Sequence, residues 1–124
     1  MDVSRVILDG TRVAIDRVES LDFAPLTEVN GEPVAGVSAA RLTFADNASV
    51  HLIRIAAGGG LPLHTGPESG FVQVVHGRGA LVLPGGERIP YAAPALFLFA
   101  PETVHGWSDV QEDTLIAACL VGEL

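Results

Sequence analysis

From Ser38 onward the chain is a succession of short apolar runs, SAARLTF, SVHLIRIAA, FVQVVHG, ALVLPG, RIPYAA, ALFLFA and TLIAACLVG, recurring at roughly ten-residue spacing. Runs this short, with turn residues between them, suit strands that each bury one face. No segment sustains a 3.6-residue hydrophobic period between helix caps, so little helix is expected. The 14 glycines and 8 prolines fall largely at the joints, as in Leu83-Pro84-Gly85-Gly86 and Ala100-Pro101. The fold class this predicts is all-β, a sandwich or barrel.

The N-terminal part carries the same signals. RVILDG and RVAID read as a strand pair turning at Asp9-Gly10, and Asn30-Gly31 is a second hairpin signal, because both residues tolerate positive φ. Residues 1–25 could form an arm that adds a strand to a partner's sheet. At 124 residues the chain is expected to be one domain, 1–124. Hydrophobic residues make up 48% of it. For a chain of this size, part of that excess should line a cavity or an interface, so a homodimer is expected.

Charge narrows the partners. There are 15 acidic residues against 7 arginines and no lysine, for a net charge of -8. Nucleic acids and anionic membranes reward Lys/Arg clusters, so neither is expected as a partner. Cys119 is the only cysteine, which excludes an intrachain disulfide and suits a reducing compartment. Its setting, LIAACLVG, is that of a small buried hydrophobe. No apolar run reaches signal-peptide or membrane-span length, so a soluble, cytoplasmic protein is expected.

Between Gly58 and Asp109 the chain resembles the cupin family in two motifs. The first runs glycine, five residues, histidine, one residue, histidine, three or four residues, glutamate, six residues, glycine. Aligned on Gly58, it places His64 in the first histidine slot and Gly77 in the closing one. Gly66 and Gly70 stand where the second histidine and the glutamate would be. The second motif puts His105 in its histidine slot and Asp109 in its asparagine slot, with Pro94, Ala100 and Glu102 in place of glycine, proline and glycine.

The resemblance implies a small jelly-roll-like barrel of two packed antiparallel sheets, with a motif core at 58–109. It also implies a central cavity that His64 and His105 face together. Family members bind a single divalent transition metal through three or four side chains, and two glycines in the ligand slots leave this chain short of that set. By two-residue alternation His76 shares the strand face of residues 70, 72 and 74, but it lies ~20 Å along from Gly70, too far to join His64. Gln73 has the opposite parity and is expected to pack between strands or at an interface. Glu68, four residues after His64, could reach back. His51 could complete a set with His64 and His105 if His51, Ile53 and Ile55 face inward rather than Val50, Leu52 and Arg54.

Glycine at 66 and 70 also removes bulk, leaving room for an organic ligand walled by Val72, Val74, Phe97, Phe99 and Trp107, with Leu61 and Leu63 nearby. Three readings stay open. One is an enzyme of isomerase or cyclase type, in which His64 and His105, assisted by Glu68, transfer protons without a metal. Another is a non-catalytic module that binds a small ligand. The last is a metal-dependent, dioxygenase-like enzyme with replacement ligands. In each the partner is a small molecule.

Overall fold

The computed structural model describes residues 1–66 and 69–122, and among them no helix forms. The N-terminus folds into β1 (Val3–Asp9) and β2 (Arg12–Val18), which pair antiparallel as a two-stranded sheet of their own. Short strands β3 (Ala24–Pro25), β4 (Glu28–Val29) and β5 (Glu32–Pro33) follow. β4 and β5 form the hairpin expected at Asn30-Gly31, with φ of 51° and 81° at the two turn residues. Positive φ at both positions is the turn geometry whose twist matches a hairpin.

The body of the molecule is an eight-stranded antiparallel sheet that bends on itself. After β6 (Val37–Ala45) and β7 (Ala48–Ile55) come β8 (Leu61–His64), β9 (Ser69–Val82), β10 (Arg88–Ala92), β11 (Ala95–Phe99) and β12 (His105–Val121). The order runs β10-β9-β12-β7-β6-β3, with β11 also on β9 and β8 also on β12. β9 and β12 pair with each other along almost their whole length, so both belong to the two layers. The first half of β9 carries β11 on its other edge and the second half carries β10. β12 likewise pairs with β8 near its start and with β7 over its second half.

Two long strands can serve both layers only if they bend, and the β9–β12 register shifts near Glu112, Leu115 and Ile116. Gly77 sits at this bend with φ +105°, and an added Cβ would lie 2.6 Å from the Asp113 carbonyl oxygen. FVQVVHG and ALVLPG, which read as separate runs, are therefore one strand continuing through a glycine bend. The shift also corrects a parity expectation. Gly70, Val72 and Val74 share the inner face, but His76 does not: it is exposed, and its Nδ1–H donates to the Asp113 carbonyl at 3.0 Å.

The layers close over a core that includes Ile55, Leu61, Val74, Tyr91, Trp107 and Ile116. Each such side chain contributes roughly 1.5–3 kcal/mol by leaving water. Its buried polar groups are satisfied internally: Tyr91 O–H donates to Thr114 Oγ1 at 2.8 Å, and Thr114 O–H donates to the Glu112 carbonyl at 3.0 Å. On the outer face, Arg54 lies 3.7 Å over the Phe23 ring and holds the segment after β2 against the sheet.

Because both left-handed φ and backbone proximity require glycine at the bend, Gly77→Ala should lower stability by about 3 kcal/mol or more. Urea unfolding measures this directly. An unchanged midpoint would mean that the bend does not depend on Gly77.

Candidate functional site

The two histidines reach each other through strand register. His64 ends β8 and His105 begins β12, and the two are direct Cα partners in the antiparallel pair. Side chains opposite one another in such a pair have Cβ atoms about 4.5–5.5 Å apart. The imidazole centroids are accordingly 4.6 Å apart, with the rings tilted by 55°. A second tie holds the loops beyond them together, since the Glu102 N–H donates to the Gly66 carbonyl at 2.9 Å. Glu102, in the slot where the cupin motif has glycine, adopts φ +64°.

Each ring is oriented by its own strand. His64 Nδ1 is 2.8 Å from the Pro62 carbonyl oxygen, and His105 Nδ1 is 3.3 Å from that of Thr103. A carbonyl can only accept, so Nδ1 carries the proton in both rings. In the neutral form, Nε2 of each is then left with a lone pair. His105 is further set among aromatic rings, stacked on Phe99 at 4.3 Å and edge-on to Trp107 at 6.3 Å.

Both histidines line a cavity of about 290 Å³. Its walls come from alternating positions on neighbouring strands. Phe99 and Leu120 flank Gly70 from either side, while Ala118 lies between His51 and Val72 across the sheet. Small side chains in these rows open the space. At Gly70, however, an added Cβ would lie 2.9 Å from Leu120 Cδ2 and 3.0 Å from the Cys119 carbonyl oxygen, so Leu120 leans into part of the room.

The expected wall residues Val72, Phe99 and Trp107 line the cavity, and so do Gly66 and Gly70. Val74 and Phe97 are not among its lining residues. Val74 is completely buried in the core, and Phe97 packs against that core with its ring 6.0 Å from Trp107. Leu61 is also a core residue, while Leu63 is exposed. Gln73 is exposed and does not line this cavity. Cys119 alternates with the lining residues Ala118 and Leu120 and is absent from the wall.

Of the two parities open for β7, the structure has His51 and Ile53 on the cavity side. His51 Nε2 is 3.1 Å from Ser49 Oγ. Glu68 lies outside the described residues. Among the described residues, no three His, Cys, Asp or Glu side chains group as a metal ion requires. His51, His64 and His105 all line the cavity, but as they stand they do not group around one point. Sequence reading missed Ile116, Ala118 and Leu120 as wall residues, although their alternation in TLIAACLV carries the signal.

Burial lowers the pKa of His105 below its usual 6.5, and the neighbouring His64 lowers it further, against a smaller upward effect of the Thr103 carbonyl. Near pH 6.5 the unfolded chain therefore binds more proton at His105 than the folded chain does. This contribution to stability is present above 6.5 and is lost as the pH falls through the folded value. In an NMR titration His105 should show a midpoint below 6.5 that rises in His64→Ala. A midpoint at or above 6.5 would contradict the site's desolvation.

No protein-family model matches the sequence, and no curated protein matches it. Its similarity to solved structures is one of shape. The polyketide cyclase RemF from Streptomyces resistomycificus superposes with a TM-score of 0.72 at 17% identity, covering 87% of this chain and 80% of that one. The Cnp3 cupin domain of Schizosaccharomyces pombe gives 0.72 at 8% identity, covering 98% and 88%. A predicted oxalate decarboxylase from Thermotoga maritima gives 0.70 at 16% identity, covering 83% and 94%. Together with the bent antiparallel sheet, these likenesses show that the chain has the fold of a small cupin.

Proposed function

We propose that the protein is a small-molecule enzyme of isomerase or cyclase type in which His64 and His105 move protons to and from a ligand in the cavity. The observation that carries this reading is the pair of imidazoles at 4.6 Å, each with Nδ1 tied to a carbonyl and Nε2 left to face a ligand. His105, held neutral by burial, acts as the base: its Nε2 takes a proton from a carbon beside a carbonyl, leaving an enolate and an imidazolium. That imidazolium returns the proton to the oxygen or to a different carbon, which is a tautomerisation; where the enolate carbon instead attacks a second carbonyl of the same molecule, that C=O π bond breaks, its oxygen takes the proton from the imidazolium and the ring closes. His64 Nε2 accepts a hydrogen bond from the enol and fixes its orientation. Glu68, four residues after His64 in the sequence, is the third residue assigned to this work.

The likeness to a polyketide cyclase is compatible with such chemistry. A metal-dependent mechanism would need ligands beyond the described donors, so no step is routed through a metal. The free thiol of Cys119 suits a cytoplasmic setting.

The reading also includes a homodimer. Val6, Leu8, Val13 and Ile15 form two cross-strand pairs on one face of the β1–β2 hairpin and are each 69–71% exposed. A lone two-stranded hairpin is marginal in water, and a second copy covering this face would stabilise it. Light scattering at micromolar concentration should give twice the chain mass, and Leu8→Glu with Ile15→Glu should give the monomer. A monomeric wild type would overturn the assignment.

Proton transfer itself is read by deuterium uptake from heavy water into tetralone, an enolisable aromatic ketone. The wild type should accelerate the exchange, and His64→Ala or His105→Ala should each reduce the acceleration by about 10²–10⁴-fold. A wild type that binds tetralone without accelerating exchange would instead favour a ligand-binding module.

A further inference from the structure

Three of the cavity's polar side chains share one sense. Because Nδ1–H of His64 and of His105 each donates to a backbone carbonyl, both rings offer only an Nε2 lone pair when neutral. Thr103 also lines the cavity, and its O–H is committed to the Ala100 carbonyl at 2.9 Å, so its oxygen too can only accept. Three groups whose protons are placed by their hydrogen bonds therefore present acceptors. Among the described lining residues none is Arg, Lys, Asp or Glu. His51 and Thr65 add two more polar side chains, and the rest of the wall is largely apolar and partly aromatic, with Val72, Phe99, Trp107 and Ile116.

A ligand that meets the paired imidazoles must supply the protons they lack. A carboxylate or phosphate would set lone pairs against those of both neutral rings, with no Arg or Lys among the described lining residues to balance its charge, and burying an unpaired charge is strongly unfavourable. A sugar would leave many hydroxyls against carbon. A flat molecule with an apolar ring and O–H donors on one edge satisfies both the acceptors and the walls. At about 290 Å³ the space is at the small end of the range for ligand pockets, which suits one or two fused rings.

We propose that the cavity selects a neutral, planar hydroxyarene, or the enol from which one forms, gripped by its O–H donors between Nε2 of His64 and Nε2 of His105. The proposal rests on the reading of this cavity as the ligand site and names the class of molecule it takes. It separates this chain from an oxalate-type site, whose dianionic substrate needs positive charge.

The test is calorimetric titration of the full-length protein with dihydroxynaphthalene, its dimethyl ether and naphthoate, at about pH 7.5 where neutral imidazole prevails. Trp107 is the only tryptophan, so its single indole N–H resonance reports whether each probe enters the cavity. Dihydroxynaphthalene should shift that resonance and bind about tenfold or more tightly than either analogue, because each analogue leaves the acceptors unpaired. His64→Ala and His105→Ala should each bring the preference over the dimethyl ether toward parity. If a variant fails to fold, the wild-type ligand series decides alone.

Equal binding of the dimethyl ether, or tighter binding of naphthoate, would overturn the proposal. Deuterium exchange at the ring carbons of dihydroxynaphthalene separates this from the catalytic reading. Selective binding without accelerated exchange would support the ligand class and sink proton transfer. Accelerated exchange in tetralone without selectivity for the dihydroxy probe would leave proton transfer standing and sink the ligand class.

Discussion

The antiparallel ladder between β9 and β12 is the constraint on which the rest of the structure depends. These strands pair over nearly their full length, and every other strand of the bent sheet except β6 and β3 hydrogen-bonds directly to one of them. The bend at Gly77 lets one ladder serve both layers, and the register shifts on β12 absorb the mismatch. The same ladder sets out the cavity. Alternate positions of β12, from Ile116 to Leu120, supply one wall, and the start of that strand delivers His105 opposite His64.

The site follows from what this ladder leaves out. Gly66, Gly70 and Ala118 withhold bulk near the two histidines, and aromatic rings close around His105. Packing a histidine against Phe99 and Trp107 removes water from it, and its neighbour His64 further disfavours a second positive charge. Backbone carbonyls at Pro62 and Thr103 hold the rings from behind. The result is a pair of imidazoles on a largely apolar wall, the arrangement on which the proposed proton transfer to a neutral ligand rests.

Much of this was legible in the sequence, because strands and motif spacing are local signals. The Asn30-Gly31 hairpin, the β1–β2 pair and the matched slots of His64 and His105 all emerge where the residues point. The parts that could not be read depend on pairing between distant segments. The bend at Gly77 breaks the two-residue alternation, so His76 leaves the face that simple counting gave it. His51 could face either way until β7 was set against β12. Leu120 leans toward Gly70 from a strand fifty residues away, so space freed by a glycine is not wholly left to a ligand.

The central claim is that His64 and His105 present neutral Nε2 acceptors to the cavity. Long-range proton–nitrogen NMR correlations of the two imidazoles, recorded at about pH 7.5, test it most directly because they distinguish the two tautomers and the cation. The account predicts that both rings carry their proton on Nδ1 and leave Nε2 bare. Protonation of Nε2 on either ring would contradict it, because a donor would then face the ligand in place of an acceptor.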